Sequence, residues 1–401
     1  MINERIKQAR LLSGMTQSEV VSKLGEHGIK LTKGGLSKYE RGGSVPSTGV
    51  LLKLANVLSV KTNYFFEDPS IKIQWLAYRK HVSLGKKRQE QIQAFAAEVL
   101  NGQLWLQEKL YPNDIPSFPK REKVKTFNAA ENTAAKLRNH WNLSDTAIES
   151  LTGIIEDRGG VVINYPYDNK DFQGFSGWAN KKYAVAVVCG QSPVDRCRLS
   201  LAHELGHLMM DNQEVDPKYE EKLTYRFAAA FIVPSSVAFR ELGEHRRRLS
   251  FQELSMLKRK HGLSMQAWIR RAFDLGIIKE GHYRSLNIEL RSRGWHKKEP
   301  IEYNGEELPS KLKQMTLRAL SEGIITPIKA EELCPGCKND IQLPAGDEPM
   351  LYRSAIDAMN LPKKERESLL EESALLAEKV YSENPELYNF RALGDEDWVD
   401  D

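Results

Sequence analysis

HELGH at positions 203–207 sits inside an apolar-periodic run, DRCRLSLAHELGHLMM. Leu199, Ala202, Gly206 and Met209 recur at helical spacing, so the run reads as a helix with one face turned inward. On that helix His203 and His207 stand one turn apart on the same side. Two imidazoles so placed can hold one Zn2+. Glu204, beside the first of them, is placed to take a proton from water activated by the ion. A catalytic zinc needs a third protein ligand and one open position. A second segment must therefore fold back onto this helix.

The run EEKLTYRFAAAFIVP at 220–234 meets that need. Leu223, Phe227, Ala228, Phe231 and Ile232 form one apolar face, which packs it against the HELGH helix. Glu221 is the expected third ligand. Glu220 is the alternative, because a slip of one residue turns a side chain by about 100° around the helix. Tyr219, Tyr225 and His245 are candidates to steady an oxyanion. Upstream, ENTAAKLRNHWNL and DTAIESLTGIIEDRG read as helices, the second ended by Gly159 and Gly160. GVVINYP, FSGWAN and KYAVAVV read as three short strands. Either of the last two could be an edge strand that holds an extended peptide by main-chain pairing.

RLSLAHELGHLMM followed by EKLTYRFAAAFIVP resembles the ImmA/IrrE family of metallo-endopeptidases, over roughly residues 130–300. The resemblance takes in the FSGWAN region and the later LSMQAWIRRAFDLGII. It implies Zn2+ on His203, His207 and Glu221, with Glu204 as general base, and cleavage of a repressor or another regulatory protein. The family usually shows Ala-Asn three and four residues after the ligand glutamate, where this chain has Thr224 and Tyr225.

Residues 1–68 read as a compact helical unit. A first helix stops near Gly14, and Thr16 with Glu19 forms a capping box for TQSEVVSKL. TKGGLSKYERG follows a polar turn, GEHGIKL, and Pro46-Ser47 precede the apolar-striped VLLKLANVLSV. This order, with Gln17 opening helix two and the SKYERG run, resembles the XRE helix-turn-helix family. The resemblance implies binding to double-stranded DNA. Gln17 would meet phosphate at a helix N-terminus. Thr32, Lys33, Gly34, Ser37 and Lys38 would reach base edges in the major groove. Arg41 reads as a phosphate or structural contact, and Glu40 with Arg41 as an internal ion pair. Leu36 and Tyr39 belong to the core.

Charge agrees with that division. Residues 1–125 carry 21 Lys/Arg against 11 Asp/Glu, whereas residues 341–401 carry 6 against 15 and end in GDEDWVDD. A basic front end suits a polyanion. No apolar run approaches the roughly 20 residues of a membrane span, and MINERIKQAR has no signal-peptide core. Four cysteines in 401 residues do not make a disulfide framework. A cytoplasmic protein is expected. Cys334 and Cys337, in CPGC, lack the second pair that a structural zinc needs and read as a surface turn. Residues 250–276 read as helix, tight turn, helix, there to pack the catalytic domain although Arg270 and Arg271 are basic. His140, His261, His282 and His296 are isolated and are not taken as ligands.

The expected fold is mainly α with a small β-sheet (α+β). A five-helix DNA-binding domain spans 1–68 and a helical connector 69–125. A zincin-like peptidase domain with a three-stranded sheet spans 126–300, and a helical C-terminal region 301–401. The chain reads as a homodimeric regulator on operator DNA that also cuts a repressor-like protein. Two other readings keep the DNA-binding half: a metal-site sensor that cuts nothing, and an antitoxin-like module that binds a partner.

Overall fold

The computed structural model describes residues 2–67, 71–76, 84–113, 118–166, 172, 174–190, 192–212 and 214–337, with a few positions between 362 and 374. The acidic tail at 394–401 lies outside them, as do residues 114–117 of the proline-rich stretch.

The N-terminal unit is α1 (Ile2–Leu12), α2 (Gln17–Glu26), α3 (Lys33–Arg41) and α4 (Thr48–Leu58), closed by a 3-10 turn over Thr62–Phe66 in place of a fifth α-helix. Ile6, Val20, Leu24, Leu36, Leu54 and Phe65 make its core. The chain continues through β1 (Ile73–Trp75), α5 (Lys86–Leu110), β2 (Glu122–Lys123), α6 (Phe127–His140) and α7 (Leu151–Asp157). Then come β3 (Val161–Tyr165), β4 (Gly174–Ala179), β5 (Tyr183–Cys189), α8 (Val194–Met209), β6 (Met210–Asp211) and α9 (Pro217–Ile232). Among the described residues that follow, the regular elements are helices: α10 (Ser235–Leu242), α11 (Phe251–His261), α12 (Met265–Asp274), α13 (Glu280–Ser292), α14 (Lys311–Ser321) and α15 (Pro327–Leu333). Among the described residues no helix is long and apolar enough to cross a membrane.

The three expected strands form, and β1 joins them as a fourth, in the order β1-β4-β5-β3. β3 and β5 are parallel, and the other pairs antiparallel. The sheet is buried on both faces. Val162, Ala186 and Val188 face the core that includes α8 and α9. Val161, Ile163, Tyr165, Val185 and Val187 face Ile92, Ala96 and Leu100 of α5. Two covered faces explain why KYAVAVV is a continuous apolar run rather than an alternating one. Segment 69–125 thus does more than connect: it supplies a strand and the helix over the second face.

The sheet order overturns one expectation. Neither FSGWAN nor KYAVAVV is an edge, because β5 lies between β4 and β3, and β1 occupies the outer side of β4. Three residues, Ile-Gln-Trp, carry too little periodicity to announce a strand.

The pair α11–α12 is packed into the core. Trp268 and Arg271 are fully buried, and Arg271 donates to the Val233 carbonyl (3.1 Å) and pairs with Glu131. In the CPGC turn the Cys337 N–H donates to the Cys334 carbonyl (3.1 Å). Cys337 is buried there, which departs from the surface turn expected.

Candidate metal centre and helix-turn-helix face

α8 presents His203, Glu204 and His207 together in the interior, all of them buried. Gly206, between the histidines, sets the distance to α9: a Cβ there would lie 2.9 Å from Thr224 Cγ2 and 3.0 Å from Phe227 Cδ1. The missing side chain lets α9 pack closely against α8. α9 itself is fixed at its start by Asp216, whose carboxylate accepts from the N–H groups of Lys218 (3.0 Å) and Tyr219 (3.2 Å).

The close approach brings Glu221 onto the two imidazoles. Its carboxylate oxygens lie 3.3 Å from His203 Nε2 and 3.6 Å from His207 Nε2, and the two Nε2 atoms are 3.1 Å apart. Ligand atoms on a tetrahedral zinc at about 2.0–2.2 Å are about 3.3–3.6 Å from one another. The donor set is of a kind that can hold such an ion, and the two carboxylate–imidazole distances fall in that range, with the two Nε2 atoms slightly closer. Glu220 faces the other side of the ring, 3.6 Å from His207 Nδ1. That is where an outer carboxylate orients a ligand histidine.

The Glu204 carboxylate meets β4. Ser176 Oγ donates to Glu204 Oε2 at 2.6 Å. A Cβ on Gly174 would fall 2.8 Å from Glu204 Oε1 and Cγ, so the start of β4 passes directly over this carboxylate. Sequence reasoning missed Ser176 and Gly174, since only the folded sheet brings β4 over α8. Of the oxyanion candidates, Tyr225 touches the site: its ring lies 4.3 Å from that of His203. Loss of hydration, with the charges of Glu221 and Glu204, raises its phenol pKa. Tyr219 instead packs on Phe127.

At the other end of the chain, Thr16 and Glu19 close the expected capping box. Thr16 Oγ1 accepts from the Glu19 N–H (3.2 Å), and the Thr16 N–H donates to Glu19 Oε2 (2.5 Å). These bonds, with Lys87 adding, pull the Glu19 carboxyl down to about 2. α2 and α3 are joined by six residues. Lys33, Gly34 and Lys38 are exposed along α3, and Ser37 is half-buried. Thr32 caps α3 by accepting from the Gly35 N–H (3.0 Å), so its hydroxyl oxygen serves the helix as well as any base. A Cβ on Gly35 would meet Leu31 Cδ1 at 2.8 Å, so a larger residue there would have to displace the Leu31 side chain.

The Gln17 amide donates to Glu40 Oε2 at 2.7 Å, and the residue stays half-buried at the start of α2. One expectation needs correction. Glu40 pairs with Arg10 (2.5 Å), not with Arg41; Arg41 folds back to donate to the Ser37 carbonyl (3.2 Å). Buried Glu40 needs a cation from the core side of α3, and Arg10 reaches it from α1.

Residues 6–65 match the helix-turn-helix family HTH_3. The N-terminal unit is a helix-turn-helix domain. A stretch of 63 residues is 40% identical to the HTH-type transcriptional regulator ImmR of Bacillus subtilis (strain 168). The match covers 16% of this chain and 46% of that protein, so the chain spans about half the length of that relative. No solved structure matches the chain. The candidate metal centre lies outside the residues matched to HTH_3.

The helix-turn-helix domain is fastened to α5. Buried Arg5 donates to Glu98 (3.1 Å), which also accepts from Gln8 (2.9 Å) and from the Tyr64 hydroxyl (3.2 Å). Burial raises the carboxyl pKa of Glu98, opposed by the Arg5 charge. Lys86 and Lys87 of α5 line the same cleft, of about 360 Å3, as Gln17 and Lys33.

Proposed function

We propose that this chain is a DNA-binding transcriptional regulator carrying a zinc-dependent endopeptidase that cuts a repressor-like regulatory protein. The observation that carries the enzymatic half is the convergence of His203, His207 and Glu221, with ligand atoms all within 4.8 Å of one another, beside a buried Glu204. The DNA-binding half rests on the helix-turn-helix match and on the cationic face of α3. Dimeric binding to operator DNA follows from the two-fold symmetry that such domains use.

His203, His207 and Glu221 would hold Zn2+, with Glu220 orienting His207. Zinc, when bound, supplies Lewis acidity that polarises a carbonyl and acidifies water. Glu204 holds and moves the proton. With Oε2 engaged by Ser176, Oε1 accepts the proton of the attacking water and returns it to the leaving amine nitrogen. The Tyr225 phenol, whose ring lies 4.3 Å from that of His203, is the group placed to donate to developing negative charge. Burial of the carboxylate and both rings keeps bulk water from competing for these bonds.

Elemental analysis tests the site. Purified wild-type chain is expected to hold about one zinc, and His203→Ala to lose it because two ligands do not make a stable site. A metal-free wild-type chain, reloaded with Zn2+ and still empty, would remove the enzymatic reading. The DNA half has its own measurement. Lys33→Ala should weaken binding to a labelled duplex and reduce the slope of log K against log salt by about one, followed by anisotropy. Unchanged affinity and slope together would take Lys33 off the interface.

A further inference from the structure

β1 sits where an extended substrate belongs. A peptide laid alongside Glu204 as the antiparallel partner of β4 would use the outward N–H and carbonyl groups of β4. Those groups are already engaged. Ile73 stands opposite Ala179, Gln74 opposite Trp178 and Trp75 opposite Gly177. The Leu76 N–H donates to the carbonyl of Ser176 (2.9 Å), the residue bonded to Glu204. Gly177 is shaped for this partner, since a Cβ there would lie 2.6 Å from the Gln74 carbonyl oxygen. Side chains add a modest hold: Trp75 lies 6.0 Å from Phe175, and Ile73 packs on the α5-side core. A three-residue strand whose side chains are at most half-buried is the weakest member of the sheet, and the one that can leave it.

We propose that β1 is an intramolecular occupant of the peptide-binding edge: residues 73–76 take the place of substrate backbone on β4 and must leave before a protein substrate is seated. The proposal rests on the peptidase reading and names how that site is held closed. β1 precedes α5, to which the helix-turn-helix domain is fastened through Arg5 and Glu98. The strap therefore lies between the DNA-facing and metal-facing halves.

The probe is a fluorescein-labelled peptide with the sequence of residues 71–76. It is titrated into zinc-loaded Glu204→Gln chain, which cannot consume it, and into the same chain with Gln74→Pro and Leu76→Pro. By the alternation of an antiparallel ladder these are the two residues whose N–H groups face β4, and proline removes them. The peptide is expected to bind the proline variant about tenfold more tightly than its parent, at equal zinc content, because the parent's edge is open only a fraction of the time. With Glu204 restored, the two prolines should raise hydrolysis of labelled casein by a similar factor. Equal affinity for both chains, or no binding to a proline variant that keeps the parent's circular dichroism and zinc, overturns the proposal. Tighter peptide binding with no hydrolysis by any Glu204 chain keeps the strap and removes the peptidase reading. If the prolines prevent folding, Ile73→Cys with Ala179→Cys decides. The oxidised crosslink should exclude the peptide and reductant should readmit it, and equal binding in both states overturns the proposal.

Discussion

Glu204→Gln is expected to leave the metal bound and to lower peptide hydrolysis by about 10²–10⁴-fold, the usual contribution of a positioned general base. The two consequences separate because the structure separates the groups. The atoms within reach of a metal belong to His203, His207 and Glu221, whereas the Glu204 carboxylate is turned toward β4 and held by Ser176. Glutamine has the same shape, and its amide oxygen can still accept from Ser176, so neither α8 nor β4 has reason to move. What is lost is the ability to take a proton. Hydrolysis of labelled casein and zinc content, measured on the same preparations with Gln74→Pro and Leu76→Pro in place to open the edge, check both halves. A sensor or partner-binding module has no use for a base beside its ligands. Such a module would keep duplex binding and metal alike in Glu204→Gln, and would hydrolyse casein no faster as wild type. Equal and substantial hydrolysis by both chains would assign the proton transfer to another group.

The parts of this site legible in the sequence are those fixed by local geometry. Helical periodicity alone puts His203 and His207 on one face. The apolar stripe from Leu223 to Ile232 predicts that the following helix returns to them, carrying Glu221. The parts that were not legible depend on contacts between distant segments. Ser176 and Gly174 matter only because β4 crosses α8, 28 and 30 residues away in sequence. β1 is three residues long, and what defines it is a ladder to Gly177 and Trp178 rather than any pattern of its own. Gln17 and Arg271 show the same limit from the polar side. Each belongs to a type that usually faces solvent or phosphate. Each is instead engaged by a carboxylate, Gln17 by buried Glu40 and Arg271 by half-buried Glu131, because a carboxylate taken out of water must be satisfied by whatever donor the fold brings to it.

The largest stability effect is expected at Glu307. Arg198 of α8 and Glu307 are paired with essentially no exposure of either side chain. Arg198 also donates to the carbonyls of Ile148 and Glu149. The Glu307 carboxylate accepts from the N–H groups of Leu151 (3.0 Å) and Thr152 (2.8 Å) at the start of α7. Glu307→Ala therefore leaves a guanidinium buried without its counter-charge, and two amides at a helix start without their acceptor. Breaking a buried pair from one side costs about 3–5 kcal/mol, and the orphaned amides act in the same direction. The midpoint of urea unfolding, followed by circular dichroism, should fall accordingly. Glu307→Gln should recover part of the loss, since its amide oxygen can still accept from one of the two N–H groups. A change below about 1 kcal/mol in Glu307→Ala would mean that water reaches Arg198 and that the segment around Glu307 is not sealed against α7 and α8. Arg198 precedes His203 by more than a turn, and Glu221 holds its position through Gly206 rather than through α7. The folded fraction of Glu307→Ala should therefore still carry zinc, which separates a loosened scaffold from a damaged site.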